Sequence, residues 1–411
     1  MIRAITFPFG YMPYRLIHMA GNFFGLCAYY LLENFRKRAL SNLALASDLH
    51  LSNEQIVKTA KESFQNLMIT CLEYPKFYRE KNIKNAVTCV NPGKALDLLN
   101  QKKGVIFFCG HQANWEILFL EGTSRMPGVA IGKPTKNKYL YDWVLSIRQK
   151  FNGIIVPPKN AIKEGLRALK QHKFLGIVGD QGMPDSGFSS LFLGRLAYTS
   201  PMPAILSYRT QSPIIVATTL RKNGRYVITY SDPIWPNTEL PMEEEMPRLM
   251  KESLLILEKS IKENPGQWLW QHNRWKRQLP GGVIKKYRHD SLCVVFPEKL
   301  EQLLQFKEIP GIIRKFYPSE HILFMIPKHH KNLINLSTET YLEYDTFKDC
   351  FVDDYKIKLL INLTEDKYIE SHFKKRAVLQ VLNLRKIITS TNLSQNTNID
   401  QLLEKVLLHA K

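Results

Sequence analysis

The stretch Gly110-His111-Gln112-Ala113-Asn114-Trp115-Glu116 places an imidazole and a carboxylate five positions apart. An imidazole can take a proton from a hydroxyl, and a neighbouring carboxylate orients the ring and stabilises it once protonated. With His111 as general base and Glu116 as its orienting partner, an acceptor's own hydroxyl can attack an activated acyl group. Such a reaction needs no serine or cysteine nucleophile on the protein. Spacing alone is weak, since a strand-end histidine followed by a first-turn helix glutamate is a common structural accident. The flanking residues add weight: Gly110 permits close approach of the backbone, Asn114 can cap or donate to substrate, and Trp115 is a costly residue to place in a polar turn. The six cysteines, Cys27, Cys71, Cys89, Cys109, Cys293 and Cys350, form no CxxC pair. That argues against a zinc ribbon or a disulfide framework and suits a reducing compartment. His329-His330 stands apart from these motifs, so the sequence calls for no metal and no cofactor.

These groups need a scaffold. Residues 104–110 are a short apolar run of the kind that forms a strand buried on both faces, which puts His111 in a loop at the strand's carboxyl end. Similar runs occur at 153–156, 174–179, 213–218 and 226–230, with helical patterns at 138–151, 161–171 and 243–263. Strands alternating with helices imply an α/β fold with a central mixed sheet flanked by helices. Residues 36–80 also read as helical. Beyond Gly281-Gly282, apolar runs at 292–296, 321–326 and 357–361 and an amphipathic end at 400–409 imply a further small α/β unit. The expected division is 1–35 as a membrane anchor helix, 36–281 as the catalytic domain and 282–411 as a C-terminal α/β domain with no assigned function.

Length and charge narrow the partners. The chain has 411 residues, 45% of them apolar, with 57 Lys and Arg against 37 Asp and Glu, a net charge of +20. Wholesale disorder is excluded, and the excess charge, mostly before residue 281, calls for an anionic partner. Residues 16–32 carry no formal charge, Tyr11, Tyr14, Tyr29 and Tyr30 lie near their two ends, and Arg36, Lys37 and Arg38 follow. The segment is therefore expected to be a single N-terminal membrane helix, with the catalytic domain on the cytoplasmic side of the membrane. The alternative is an amphipathic helix packed on a soluble domain, which His18 and Asn22 permit. Nucleic acid is not an expected partner, because the basic residues match no nucleic-acid motif.

Gly-His-x-x-Asn-Trp-Glu resembles the signature of the late lipid A biosynthesis acyltransferases, the lauroyl/myristoyl family within the wider glycerolipid acyltransferase-like group. Further blocks agree in order: 139–148 ending at Arg148; Gly179-Asp180-Gln181 with Leu193-Gly194, Thr199 and Pro203-Ala204; and Pro265-x-Gln267-Trp268-x-Trp270-x-His272-x-Arg274. Phe192-Leu193-Gly194 departs from the family's aromatic-aromatic-glycine. The resemblance covers about residues 10–280 and implies transfer of a fatty acyl chain from acidic acyl carrier protein to a hydroxyl of a Kdo-containing lipid A precursor. It implies His111 as base and Glu116 as its partner. It further implies Arg148 on a phosphate or the oxyanion, Asp180 holding Arg148 or positioning substrate, and Asn114 and Gln181 as further substrate contacts. Trp268 and Trp270 read as core anchors. Lys133, Lys136, Lys138, Arg148 and Lys150 form a candidate docking cluster for the carrier. The alternative within the same fold is an acyl-CoA-dependent enzyme acting on another glycolipid, such as a phosphatidylinositol mannoside.

Overall fold

Strand β2 (Val105–Cys109) is Val-Ile-Phe-Phe-Cys, and all five side chains are buried. Such a run is stable only with packed layers on both faces, and the computed structural model supplies them. It describes residues 7–183, 186, 188–275, 283–336, 339–391 and 399–408. Around β2 lie β1 (Val87–Cys89), β3 (Gly128–Ile131), β4 (Ile154–Val156), β5 (Phe174–Val178), β8 (Ile214–Lys222) and β9 (Arg225–Tyr230). Their order in the sheet is β1-β9-β8-β2-β5-β3-β4. All neighbours are parallel except β8 and β9, so the sheet is mixed, as expected. Helices Glu116–Thr123, Ala161–Lys170 and Met242–Glu263 pack on it. A separate antiparallel hairpin joins β6 (Ser189–Phe192) and β7 (Arg195–Tyr198).

β2 lies between β5 and β8, and its register with β5 matters most for the site. Cys109 stands opposite Val178. Two residues further along, the parallel strands deliver His111 and Asp180 to the same edge of the sheet.

The apolar N-terminal segment is a helix, Tyr14–Leu31. Among the described residues no helix is long and apolar enough to cross a membrane, which corrects the expected membrane-spanning anchor. Its 18 residues would reach about 27 Å, against a hydrocarbon core of about 30 Å. One face is also already occupied. Ile17, His18, Gly21, Gly25 and Tyr29 are buried at helical spacing against the helix Asn53–Arg79. A side chain at Gly21 or Gly25 would run into the backbone of Ile69 or Gln65, so the two glycines let the helices touch. The expected 36–80 helix is two helices, Glu33–Leu45 and Asn53–Arg79, with a short 3-10 turn between them.

The chain divides into two units: residues 1–32 with 57–274, and 33–56 with 275–411. The expected linker Gly281-Gly282 lies outside the described residues. In the second unit five parallel strands, β10 (Ser291–Val295), β11 (His321–Pro327), β12 (Thr340–Tyr344), β13 (Leu359–Asn362) and β14 (Gln380–Asn383), are ordered β12-β11-β10-β13-β14. Helix Glu33–Leu45 belongs to this unit rather than to the first. Its Ser41 Oγ donates to Lys356 O at 2.6 Å, and its Asn42 Oδ1 accepts from Lys358 Nζ at 3.1 Å. Lys358 pairs with Asp290 at 2.9 Å, both side chains about 1% exposed.

Candidate active site

The loop after β2 turns sharply and is pinned on several sides. Ala113 sits in the left-handed region at φ 47°, a conformation that costs energy for any residue with a Cβ. Its N–H donates to Gln267 O at 2.6 Å. Its carbonyl accepts from Asn66 Nδ2 at 2.9 Å and Thr70 Oγ1 at 3.0 Å. Leu269 N donates to His111 O at 3.1 Å. The Pro265–Arg274 block therefore braces the histidine loop from one side and the helix Asn53–Arg79 from the other.

His111 does not meet Glu116. Its Nδ1 lies 2.7 Å from Asp180 Oδ1, and its backbone N–H donates to Asp180 Oδ2, also at 2.7 Å. Asp180 Oδ2 further accepts from Trp268 Nε1 at 2.6 Å. The expected partnership of Asp180 with Arg148 and the expected pairing of His111 with Glu116 are thus exchanged. The reason is geometric. The first residues of a helix point away from the preceding strand end, whereas two neighbouring parallel strands bring equivalent loop positions together. Gly110 leaves room for this contact, since a Cβ there would stand 2.9 Å from Asp180 Oδ2. Trp268, expected to be a core anchor, touches the dyad directly; Trp270 keeps that structural role, donating from Nε1 to Pro265 O at 2.8 Å.

A carboxylate only accepts, so Nδ1 carries the proton and Nε2 keeps its lone pair. Gln181 Nε2, 3.2 Å away, donates to that lone pair. A narrow crevice beside the ring is lined by His111, Asp180, Gln181, Trp268, Leu269, His272 and Arg274. None of these lining residues is a serine, threonine or cysteine. Burial pushes the Asp180 carboxyl up, but the His111 imidazole, its two hydrogen bonds and the Trp268 N–H outweigh it and hold the pKa below the usual carboxylate range. The His111 side chain is 17% exposed and that of Asp180 1%, so the imidazole is partly exposed and its partner is dry. Burial lowers the Arg274 guanidinium to about 10, against the opposing pull of Asp180 and Glu258.

Glu116 is gripped by Arg148 through two parallel hydrogen bonds, Nε to Oε2 at 2.7 Å and Nη2 to Oε1 at 2.5 Å. Trp115 Nε1 adds a third at 3.0 Å, and the Trp115 ring stands edge-on to His111 with centroids 4.8 Å apart. Burial raises the Glu116 carboxyl, yet Arg148, Tyr74 and Trp115 leave it below its ordinary value. Asn114 is fully buried; its Oδ1 accepts from Glu116 N at 3.2 Å and its Nδ2 donates to Glu73 Oε2 at 2.6 Å. It holds the loop instead of facing the crevice. Of the basic cluster, Lys133, Lys136 and Lys138 are exposed on the segment between β3 and the helix Lys138–Arg148. Lys150 donates to the carbonyls of Phe77, Tyr78 and Glu80 and so caps a helix end.

A partly exposed imidazole at a strand end, locked by a buried carboxylate, with no serine, threonine or cysteine among the lining residues, has the chemistry to take a proton from a hydroxyl. The chain belongs to the bacterial lipid A biosynthesis acyltransferase family, whose model matches residues 2–277. It is 22% identical to a lipid A biosynthesis lauroyltransferase of Escherichia coli K12 over 281 residues, 67% of this chain and 90% of the relative. It is 23% identical to the palmitoleoyltransferase of the same organism and to a lipid A biosynthesis acyltransferase of Shigella flexneri. Each of these two matches runs over 278 residues, 66% of this chain and 88% of the relative. The protein is an O-acyltransferase of lipid A biosynthesis, and its second unit lies mostly beyond the matched residues.

Proposed function

We propose that this enzyme moves a fatty acyl chain from acyl carrier protein to a hydroxyl of a Kdo-containing lipid A precursor, with His111 as general base and Asp180 as its orienting carboxylate. The acceptor hydroxyl displaces Gln181 from His111 Nε2 and gives its proton to that nitrogen as its oxygen attacks the thioester carbonyl. The C–S bond then breaks, the new ester forms, and the imidazolium returns the proton to the departing carrier thiolate. Asp180 holds the ring and stabilises its charge throughout. The observation that carries this reading is the 2.7 Å bond from His111 Nδ1 to Asp180, which leaves Nε2 as the basic nitrogen. Glu116 and Arg148 act as a pair beside the base, with the outer edge of Arg148 available to a substrate phosphate.

Both substrates are anionic, and charge favours their approach. Lys133, Lys136 and Lys138 are the proposed contact with the carrier protein. For the lipid, the exposed face of helix Tyr14–Leu31, with Leu16, Met19, Phe23, Phe24 and Tyr30 outward, Arg15 exposed near its start and Lys61 over the Tyr29 and Tyr30 rings, supports seating in the plane of the cytoplasmic surface of the inner membrane. No cofactor enters this scheme.

The test is transfer in detergent from labelled acyl carrier protein of several chain lengths to a Kdo-modified tetra-acyl precursor, with His111→Ala as control. Product that depends on His111 is expected. A folded protein that acylates only a mannosylated lipid, or only from acyl-CoA, would overturn the assignment of substrates; undiminished activity in His111→Ala would overturn the base.

A further inference from the structure

Glu73 has no role in the scheme above, yet it is a fully buried carboxylate near the site with three hydrogen-bond partners, as many as Asp180. It lies on helix Asn53–Arg79 and is fully buried. Three side chains from three other elements converge on it. His18 Nε2, on the N-terminal helix, is 2.7 Å from Oε1. Asn114 Nδ2, in the histidine loop, and Tyr226 OH, on β9, donate to Oε2 at 2.6 and 2.7 Å. A dry carboxylate is tolerated only when its oxygens are saturated in this way. Through Asn114 the chain of bonds continues to Glu116 N, the first residue of the helix that ends the loop.

We infer that Glu73 is a positioning residue for the histidine loop, and that His18 makes the N-terminal helix part of the framework that sets the base. This rests on the reading of His111 as the base. Two of the bonds to Glu73 are internal to the fold, one to the loop and one to β9. The third comes from a helix whose opposite face is exposed and apolar. Displacing that helix removes one of the donors to Glu73 and loosens its hold on Asn114. Asn114 sits next to Ala113, whose left-handed φ persists only while its surroundings enforce it. Relaxation of that turn moves His111 out of line with Asp180, so seating of the helix and reactivity of the base are coupled.

The test compares Glu73→Gln, His18→Leu and His18→Gln in the full chain. His18→Gln retains an amide donor toward Glu73, whereas His18→Leu fills similar space without one. Thermal melting, kcat and KM for carrier-borne acyl donor, and hydrogen exchange of the peptide spanning 110–116 are read for each. The expected result is kcat reduced about tenfold or more in Glu73→Gln and His18→Leu, KM within about twofold, and faster exchange in 110–116. His18→Gln should recover most of the activity. Wild-type kcat per folded molecule and unchanged exchange in both impaired variants would overturn the inference, as would a fall in melting temperature alone. If the wild-type enzyme itself transfers nothing to the lipid A precursor, the proposed substrates fail. The exchange arm still decides the inference: faster exchange upholds the positioning role and unchanged exchange overturns it.

Discussion

Replacing Asp180 by asparagine tests the dyad with little change of shape. Asp180 accepts three hydrogen bonds, two on Oδ2 from His111 N and Trp268 Nε1 and one on Oδ1 from His111 Nδ1. An asparagine keeps the first two by placing its oxygen at the Oδ2 position. Its amide nitrogen then faces Nδ1 and can only donate. The ring answers by shifting its proton to Nε2, and the atom that should accept the substrate proton no longer can. The fold loses about 1–2 kcal/mol of hydrogen bonding, while the reaction loses both the correct tautomer and the charge that stabilises the imidazolium. A unit pair about 4 Å apart at an effective dielectric of about 20 is worth about 4 kcal/mol, or about three decades in rate. Asp180→Asn is therefore expected to melt within a few degrees of wild type, bind donor with near-normal KM, and show kcat lowered about a thousandfold in the transfer assay. Retention of more than about a tenth of wild-type kcat by a folded variant would refute the role given to Asp180.

Gly110→Ala should separate space from chemistry in the same site. The added methyl would meet Asp180 Oδ2 at 2.9 Å and the Leu257 methyls at 3.1 Å, so a loss of about 1–3 kcal/mol in stability should accompany a larger fall in kcat; normal kcat would show that the close approach is unimportant. In the second unit, Lys358→Met strands Asp290 in a dry site and should cost about 3–5 kcal/mol, read as a lower denaturant midpoint. Asp180 and Glu116 both have folded pKa values below the ordinary carboxylate value. Their contribution is fully present above the unfolded pKa of about 4 and is lost as pH falls through the lower folded values. Asp180→Asn should accordingly show a shallower loss of melting temperature below about pH 4 than wild type, and equal slopes would contradict the shift.

Central strands were legible because burial on both faces leaves an unbroken apolar run. Residues 104–110 and 174–179 became β2 and β5, and 292–296, 321–326 and 357–361 became β10, β11 and most of β13. The edge strands β12 and β14 and the hairpin β6–β7 lack that signature, since polar residues such as Thr340, Glu343, Gln380, Asn383, Ser189, Ser190 and Arg195 break up their apolar runs. The histidine loop announced itself by its residue types. Its carboxylate partner did not, because proximity there is set by the adjacency of β2 and β5, and strand order is a property of the whole sheet rather than of a local spacing. A usable signal existed: His111 and Asp180 each stand one residue after the glycine that ends an apolar run. The N-terminal helix was misjudged for a related reason. Absence of charge marks a helix that avoids water, but Gly21, Gly25 and His18 on one stripe mark one that packs against protein. Glu73 gave no signal, as a glutamate on an amphipathic helix ordinarily faces solvent.

Helix Glu33–Leu45 belongs with β10–β14, although the catalytic unit's strands are all encoded between them. On the ribosome this helix emerges long before Lys356 and Lys358, the partners of its buried Ser41 and Asn42. At about 5–20 residues per second the delay is on the order of ten to fifty seconds. Throughout that interval the nascent chain displays a half-made interface while the catalytic sheet is already able to form. The second unit is consequently a late closure on an early element, and a chain interrupted before β10 would leave the N-terminal region with an orphaned surface for chaperones or proteases to find.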